Sequence, residues 1–546
     1  MNRTRMGLLM VFCLSLLTSV SLSAQAVPAG EPDTEAFLDA NFQLQQAYTG
    51  VLCVSGDGSC PSTITMSVPC LTQACSHPTS DYAVTKVFET IQEAADNALP
   101  GTLVIIMPGR YRGVEIEGSG GEDGGYIHFL GWGDPGTVII DALARPDVSF
   151  LRHQFYFIAA HHYIIQNLAF EGAENGAGIF LSGNFGGTGQ FAHHFIISNV
   201  YSHDHGVWGL HTTSTNEVVI QDSIFTNSGE EHGAYISGSG DNMVIRRNVF
   251  QGNNAAGLQV NADPQSATSQ VFYWLQTSTG DTCGWTEADV DFTGSATWPD
   301  LKACYDQQGL PDLGAFFEDG VSEGFIIEQN VVTGNGAAGG AGINLASLRH
   351  SVVRNNLIYG NAAAGIVCWD NSYAEQKELE SSEFGCRDVT IVNNTLVDET
   401  GNRGALILSN DNHDMRVVNN IIVRDRFDAY ELGVRSGWGL RSSHNYLTAL
   451  AVEPLPGIRV LDTQSVSGSI VAPAVADALA QFVNPGFAPW ILEDAVWPAL
   501  NPERPDYHLQ ADSPLGSSGD ASIAPVLDVN GQPRRGPEIG ALALGG

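Results

Sequence analysis

Lysine is nearly absent: Lys86, Lys302 and Lys377 are the only three in 546 residues, and with arginine the basic total is 24 against 60 Asp and Glu. A formal balance of −36 argues against nucleic acid as a partner, because there is no basic surface to offset phosphate. Such acidity suits a protein that stays soluble in a salty exterior, and a calcium-binding surface is the sharper alternative. Long apolar runs are equally scarce. The stretch from Met6 to Leu22, behind Arg3 and Arg5 and ahead of Ala24-Gln25-Ala26, reads as a secretory signal over residues 1–26, and no other segment could span a membrane. Its removal would make the chain two charges more negative.

Cysteine is sparse but even in number once Cys13 leaves with the signal: Cys53, Cys60, Cys70, Cys75, Cys283, Cys304, Cys368 and Cys386 remain. An even count in an exported chain points to disulfides. Proximity pairs Cys283 with Cys304 and Cys368 with Cys386, and leaves two bridges among the first four. Those four lack the repeated C-x-x-C spacing of a zinc site.

Sustained helical periodicity is missing too, and a repeat takes its place. A short β-branched run, an Asn, two apolar residues, a polar turn and then Gly-apolar-x-apolar recur between Asn167 and Asn420, as in FIISNVYSHDHGVWGLHT from Phe195 and VVRNNLIYGNAAAGIVCW from Val352. Aligned on the recurring polar residue, Asn167, Asn199, Ser223, Asn248, Asn330, Asn356, Asn394 and Asn420 fall in one column, with the tighter steps 24, 25, 26 and 26 residues. A period in that range means a solenoid, and alternating runs this short mean strands. Stacked, they give an all-β parallel β-helix of about ten rungs, one main domain because a solenoid grows in one dimension and needs no separate cores, and it is expected to be a monomer.

Around the repeat, residues 27–84 read as a cysteine-rich leader packed on the amino-terminal end, residues 85–446 as the coil, and residues 447–546 as a carboxy-terminal cap. Helical spacing over Phe88–Ala98, stopped by Pro100-Gly101, predicts a helix that closes the first rung. Thr90–Ala94, T-I-Q-E-A, followed by P-G-T-L-V-I-I-M-P-G-R-Y, resembles the start of the pectate-lyase-like, right-handed parallel β-helix proteins. The tail D-Y-H-L-Q-A-D-S-P-L-G-S-S-G-D and P-R-R-G-P-E-I-G-A-L resembles the segment that closes many of them. The resemblance spans roughly residues 85–545 and implies a right-handed coil. The activities it implies are those the architecture serves: polysaccharide lyase, hydrolase, epimerase or adhesin. Several lyases of this fold use Lys or Arg as base. No rung strand here offers a Lys, although Lys302 and Lys377 sit in loops.

Three insertions follow the Gly-apolar-x-apolar strand, at Gly183–Ala192, about 264–323 and about 371–387, and so emerge from one edge of the rod as a wall. The second carries Phe272, Tyr273, Trp274, Trp285, Trp298 and Tyr305, a stacking surface for sugars or a self-packed loop core. Beside the wall, outward positions form a column Phe180, His211, Tyr235, Gln259, Asn344 and a second column Ser182, Thr213, Ser237, Asn261, Ala346. Strands about 4.8 Å apart would make His211, Tyr235 and Gln259 a ladder of about 10 Å, comparable with two sugar units.

The residue types suit β-elimination on a uronate polymer of alginate or pectate type. His211 as base and Tyr235 as acid, or Tyr235 in both roles, would move the protons, with His232 as the second histidine. Gln259, Asn261, Asn344 and Trp274 would hold substrate. Glu230, Glu231 and Asp204 are the candidate calcium ligands, although no cofactor is required. Glu230 and Glu231 with Asp204 could instead serve as a carboxylate pair for hydrolysis. The same groove would suit a uronate epimerase, or sugar binding without catalysis. His203 aligns with Asn227, Asn253, Asn335 and Asn361 as a turn ladder, His205 stays open, and His161, His162, His193 and His194 read as structural.

Overall fold

The computed structural model describes residues 33–146, 153–183, 191–263, scattered positions between 269 and 307, 320–371, 384–398, most of 401–424, 430–432, 439–448, 466–493 and 496–543. The expected signal, and Trp274, Trp298, Tyr305, Lys302 and Lys377, lie outside them.

Three parallel sheets run the length of the coil. A representative rung passes from Ala192–Ser198 in sheet 1 to Tyr201–His203 in sheet 3 and Trp208–Thr213 in sheet 2, then returns to sheet 1 at Thr215–Gln221. Strands this short and β-branched cannot bury a face alone, so each rung stacks its inward residues on the next. Phe195, Val218, Met243 and Ile327 from sheet 1 meet Leu210, Ile236 and Leu258 from sheet 2 in one continuous core. All three insertions interrupt the sheet 2 to sheet 1 connection: between Ala177–Ser182 and Ala192–Ser198, between Leu258–Asn261 and Ser322–Glu323, and between Ala364–Trp369 and Arg387–Val392.

The polar column departs from the sequence alignment by one residue at its start. Ser198, Gln221 and Arg246 are successive partners in sheet 1, so Asn167 and Asn199 align with Asp222 and Arg247 rather than with Ser223 and Asn248. Asn167, Asn199, Asp222 and Arg247 turn the chain with φ of 57°, 51°, 53° and 55°, in the left-handed region that Asn tolerates. The buried ladder is Ser223, Asn248, Asn330, Asn356, Asn394, Asn420 and Asn445. In it each backbone N–H donates to the next side-chain oxygen, as from Asn248 N to Asn330 Oδ1 at 3.0 Å and from Asn330 N to Asn356 Oδ1 at 3.0 Å. The amide groups also satisfy interior carbonyls, Asn330 Nδ2 donating to Ile245 O at 2.9 Å, so a turn inside the coil leaves no unpaired backbone there. A second ladder, Ser228, Asn253, Asn335 and Asn361, ends on Asp398. By register its neighbour is His205, not His203, which aligns with Thr226.

Both chain ends differ from expectation. Helix forms over Ile91–Ala95 alone, because the Thr90 side chain and Glu93 close a capping box there, while Phe88 ends the strand Lys86–Phe88. Gly50–Val54 is itself a sheet 1 strand, between Lys86–Phe88 and Thr102–Ile106. The rest of the leader runs lengthwise over sheet 1: Leu38, Phe42 and Leu71 cover Ile164, Ile196, Val219, Val244, Ile326 and Val352. Glu35 pairs with buried Arg246, and Thr34 Oγ1 accepts from Arg354. The carboxy-terminal segment likewise folds back along sheet 3, setting Tyr507, Leu509, Leu515 and Ile539 on Leu357, Tyr359, Val397 and Ile421.

Disulfides join Cys53 to Cys60, Cys70 to Cys75 and Cys283 to Cys304. The expected fourth is not formed. Cys368 and Cys386 are buried thiols within the coil core, where they pack as small apolar groups, and Cys386 Sγ donates to the Leu345 carbonyl at 3.6 Å. Among the described residues no helix is long and apolar enough to cross a membrane.

Candidate functional site on sheet 2

With the leader on sheet 1 and the tail on sheet 3, sheet 2 is the face to which neither end contributes a packed apolar cluster among the described residues. Its outward column is in register as the repeat requires: Tyr156, Phe180, His211, Tyr235, Gln259 and Asn344 are successive partners. The second column runs Ile158, Ser182, Thr213, Ser237, Asn261 and Ala346. None of these twelve positions carries a charge, in a chain whose balance is −36.

The rings form a stack. Tyr156 lies on Phe180 at 5.3 Å between centroids, Phe180 on His211 at 4.5 Å, and His211 on Tyr235 at 4.9 Å with only 8° between planes. Trp208 closes on His211 at 4.4 Å and His232 meets Tyr235 edge-on at 5.1 Å. Trp208 went unnoticed in the sequence. Its signal is position, since it precedes His211 by three residues just as His232 precedes Tyr235.

Hydrogen bonds then fix what each group can do. The Ser237 hydroxyl gives its hydrogen to the Thr212 carbonyl at 2.9 Å, so at 3.1 Å it must accept from His211 Nε2. His211 Nδ1 is thereby left as the acceptor nitrogen, sealed from solvent and without a hydrogen-bond partner among the described residues. Burial holds the imidazole well below its ordinary pKa. His232 accepts the Ala256 N–H at Nδ1, 3.0 Å away, which puts its own hydrogen on Nε2, 3.2 Å from Glu231. Burial lowers His232 to about 4, so near neutrality it is an uncharged donor and has no lone pair left to take a proton.

Tyr235 is different. Its hydroxyl oxygen accepts from Asn261 Nδ2 at 3.1 Å, and Asn261 Oδ1 in turn accepts from Asn371, the first residue of the third insertion and a member that sequence reading did not supply. Beyond it Gln259 Oε1 accepts from Asn344 Nδ2 at 2.6 Å, leaving Gln259 Nε2, among the described residues, a 3.5 Å contact with the Val260 carbonyl. From the second insertion, Phe272 and Val290 pack with Cys283 and Trp285 in a small core of their own, while Tyr273 is exposed.

The acidic trio does not converge. Asp204 bonds His203 at 2.8 Å and Asn227, which also reaches Glu493 of the tail, while Glu231 turns to His232. Among the described residues, the groups of three whose ligand atoms come within 4.8 Å are Cys70, Cys75, His77 and His162, His193, His194; neither contains Asp204, Glu230 or Glu231. His205 is structural, accepting the Ala173 N–H at 3.0 Å and contacting Ser202 Oγ at 2.8 Å.

The family model described as right handed beta helix region matches residues 148–272 and 313–437. No curated protein sequence matches the chain. Among solved structures, pectate lyase Pel9A is similar over 92% of this chain and 99% of its own, at 12% identity and a TM-score of 0.50. The A-module of the Azotobacter vinelandii mannuronan C-5 epimerase AlgE4 aligns over 70% of this chain and 88% of its own, at 14% identity and a TM-score of 0.42. An alginate lyase from Paenibacillus sp. str. FPU-7 aligns over 70% and 93%, at 14% and 0.39. Parallel register through three sheets, the twofold family match and the Pel9A architecture together make this chain a right-handed parallel β-helix protein.

Proposed function

We propose that this is a secreted polysaccharide lyase that cleaves a uronate-containing polymer of alginate or pectate type by β-elimination on sheet 2. The observation that carries the reading is the Tyr235 hydroxyl. It stands on an uncharged strip, accepts from Asn261, and is stacked face to face on a histidine whose Nε2 is held by Ser237.

Elimination needs the substrate carboxylate quieted, the adjacent C–H proton removed and the departing glycosidic oxygen protonated. Gln259 Nε2 and the amides of Asn344 and Asn261 supply donors for the carboxylate. Tyr235 as phenolate, supported by the Asn261 N–H, takes the proton and returns it to the leaving oxygen, so the group ends as it began. His211 then acts by holding the phenol in place, and His232 by packing against its edge. The strip's lack of carboxylates lets an acidic polymer approach an acidic protein, and salt in an exterior medium screens the remainder. Three disulfides support an extracytoplasmic setting.

One observation favours hydrolysis as a second reading: burial, then Glu230, raises the Glu231 carboxyl above its usual range, as suits a general acid. Incubation with alginate, pectate, chondroitin and neutral glycans separates the outcomes. Ultraviolet absorbance of unsaturated uronate means elimination, and reducing ends alone mean hydrolysis. Deuterium uptake without cleavage means epimerisation, and binding without any of these leaves a carbohydrate-binding coil.

A further inference from the structure

Two successive rungs carry paired histidines at or next to the start of their sheet 1 strands, His161-His162 and His193-His194, and His161 is the register partner of His193. In a regular strand adjacent side chains point to opposite faces. Here His162 and His194 each have φ of 58°, and the broken pleat brings neighbouring rings together. Nδ1 of His161 lies 3.1 Å from Nδ1 of His162, and Nδ1 of His193 lies 2.9 Å from Nδ1 of His194. Between rungs, His161 stacks on His193 at 5.0 Å and His162 on His194 at 4.4 Å. Two carboxylates border the four rings: Asp123 Oδ1 is 3.1 Å from His162 Nε2, and Glu217 Oε2 is 3.6 Å from His194 Nδ1.

We infer that His162, His193 and His194 hold a divalent transition-metal ion of the zinc type, with Asp123 against His162 at the border of the site. One ligand atom from each histidine lies within 4.8 Å of the others. Metal–nitrogen bonds of about 2.0–2.1 Å put the donors around one ion about 3–4 Å apart, so little movement closes the site. Facing ring nitrogens at about 3 Å need a hydrogen or a cation between them. Imidazole nitrogen selects zinc-like ions over calcium, which prefers oxygen. The other three-residue group cannot compete, because Cys70 and Cys75 are joined to each other.

The place explains the use. The Phe42 ring of the leader lies 5.8 Å from His194, at the base of the first insertion, so an ion there ties two rungs together beneath the leader. It is a structural clamp, apart from the sheet 2 strip and independent of any reaction there.

The test uses the full mature chain without a polyhistidine tag. After incubation with zinc or cobalt and gel filtration, elemental analysis should find about one ion per chain, cobalt should give visible ligand-field bands, and zinc should raise the melting temperature. His193→Ala with His194→Ala should lose all three effects, whereas His350→Ala should keep them. Because the double variant could misfold, copper electron paramagnetic resonance of the wild type supplies a second measurement, in which nitrogen hyperfine structure is expected. A wild type that retains none of zinc, cobalt, nickel or copper, or a folded double variant that still binds a full equivalent, overturns the site.

Discussion

The outward faces of sheets 1 and 2 are built by the same strands-and-turns repeat and end up with opposite uses. Sheet 1 presents Ile164, Ile196, Val219, Val244, Ile326 and Val352, and the chain spends its own leader covering them. Sheet 2 presents Tyr156, Phe180, His211, Tyr235, Gln259 and Asn344, whose partners are one another. A β-helix has three outer faces and two ends of chain. Here the ends take sheets 1 and 3, and the face left over is the uncharged strip on which we propose the chemistry.

The comparison is sharpest when one residue is changed on each face. Removing the Tyr235 hydroxyl in Tyr235→Phe should lower the lyase rate by about hundredfold or more while leaving the melting temperature within a degree or so. Full turnover by a well-folded Tyr235→Phe protein would move the proton transfer elsewhere. On the other face, Ile196→Ala should cost about 2–4 kcal/mol in denaturant unfolding, because Ile196 is buried beneath Leu38 and Phe42, and should leave the rate of the folded protein unchanged. If Ile196→Ala proves as stable as wild type, the leader does not seal sheet 1. Within the polar columns, Asn330→Ala should cost about 1–3 kcal/mol more than Asn199→Ala. The first orphans interior groups in the ladder, and the second removes a bond to Asn167 at a half-exposed turn.

A further effect is with pH. His153 and His232 are held at about 4, each by burial, against an ordinary 6.5. The unfolded chain therefore binds more protons between those values, and stability is present above 6.5 and lost as pH falls toward 4. Unfolding midpoints measured across that window should fall less steeply for a His153→Gln, His232→Gln protein; an unchanged slope would show that these rings do not drive the acid transition.

Much of this was legible in the sequence because a solenoid repeats its physics locally. The outward columns from Phe180 to Asn344 need only the two-residue alternation of a strand, and the register carries it from rung to rung. The Asn column failed by one residue at Asn167 and Asn199 for an equally local reason. The left-handed turn position and the buried ladder position are adjacent, both accept Asn, and later rungs have Asn at both, as in Asn355-Asn356 and Asn393-Asn394. The apolar runs of sheet 1 that start at Phe195 and Val218 are those of strands buried on both faces, which a reading of simple alternation missed. Asn371 had no local signal, since its contact with Asn261 crosses 110 residues.

The sequence by itself determined the repeat, the coil, the strand faces and the edge from which the insertions leave, because each depends on spacing within one rung. Only the tertiary structure decided which faces the two ends would cover, which nitrogen of His211 and His232 carries hydrogen, and that the acidic trio would part while four histidines met. Those depend on contacts between distant segments and on backbone that leaves the regular pleat, and neither is written in a local period.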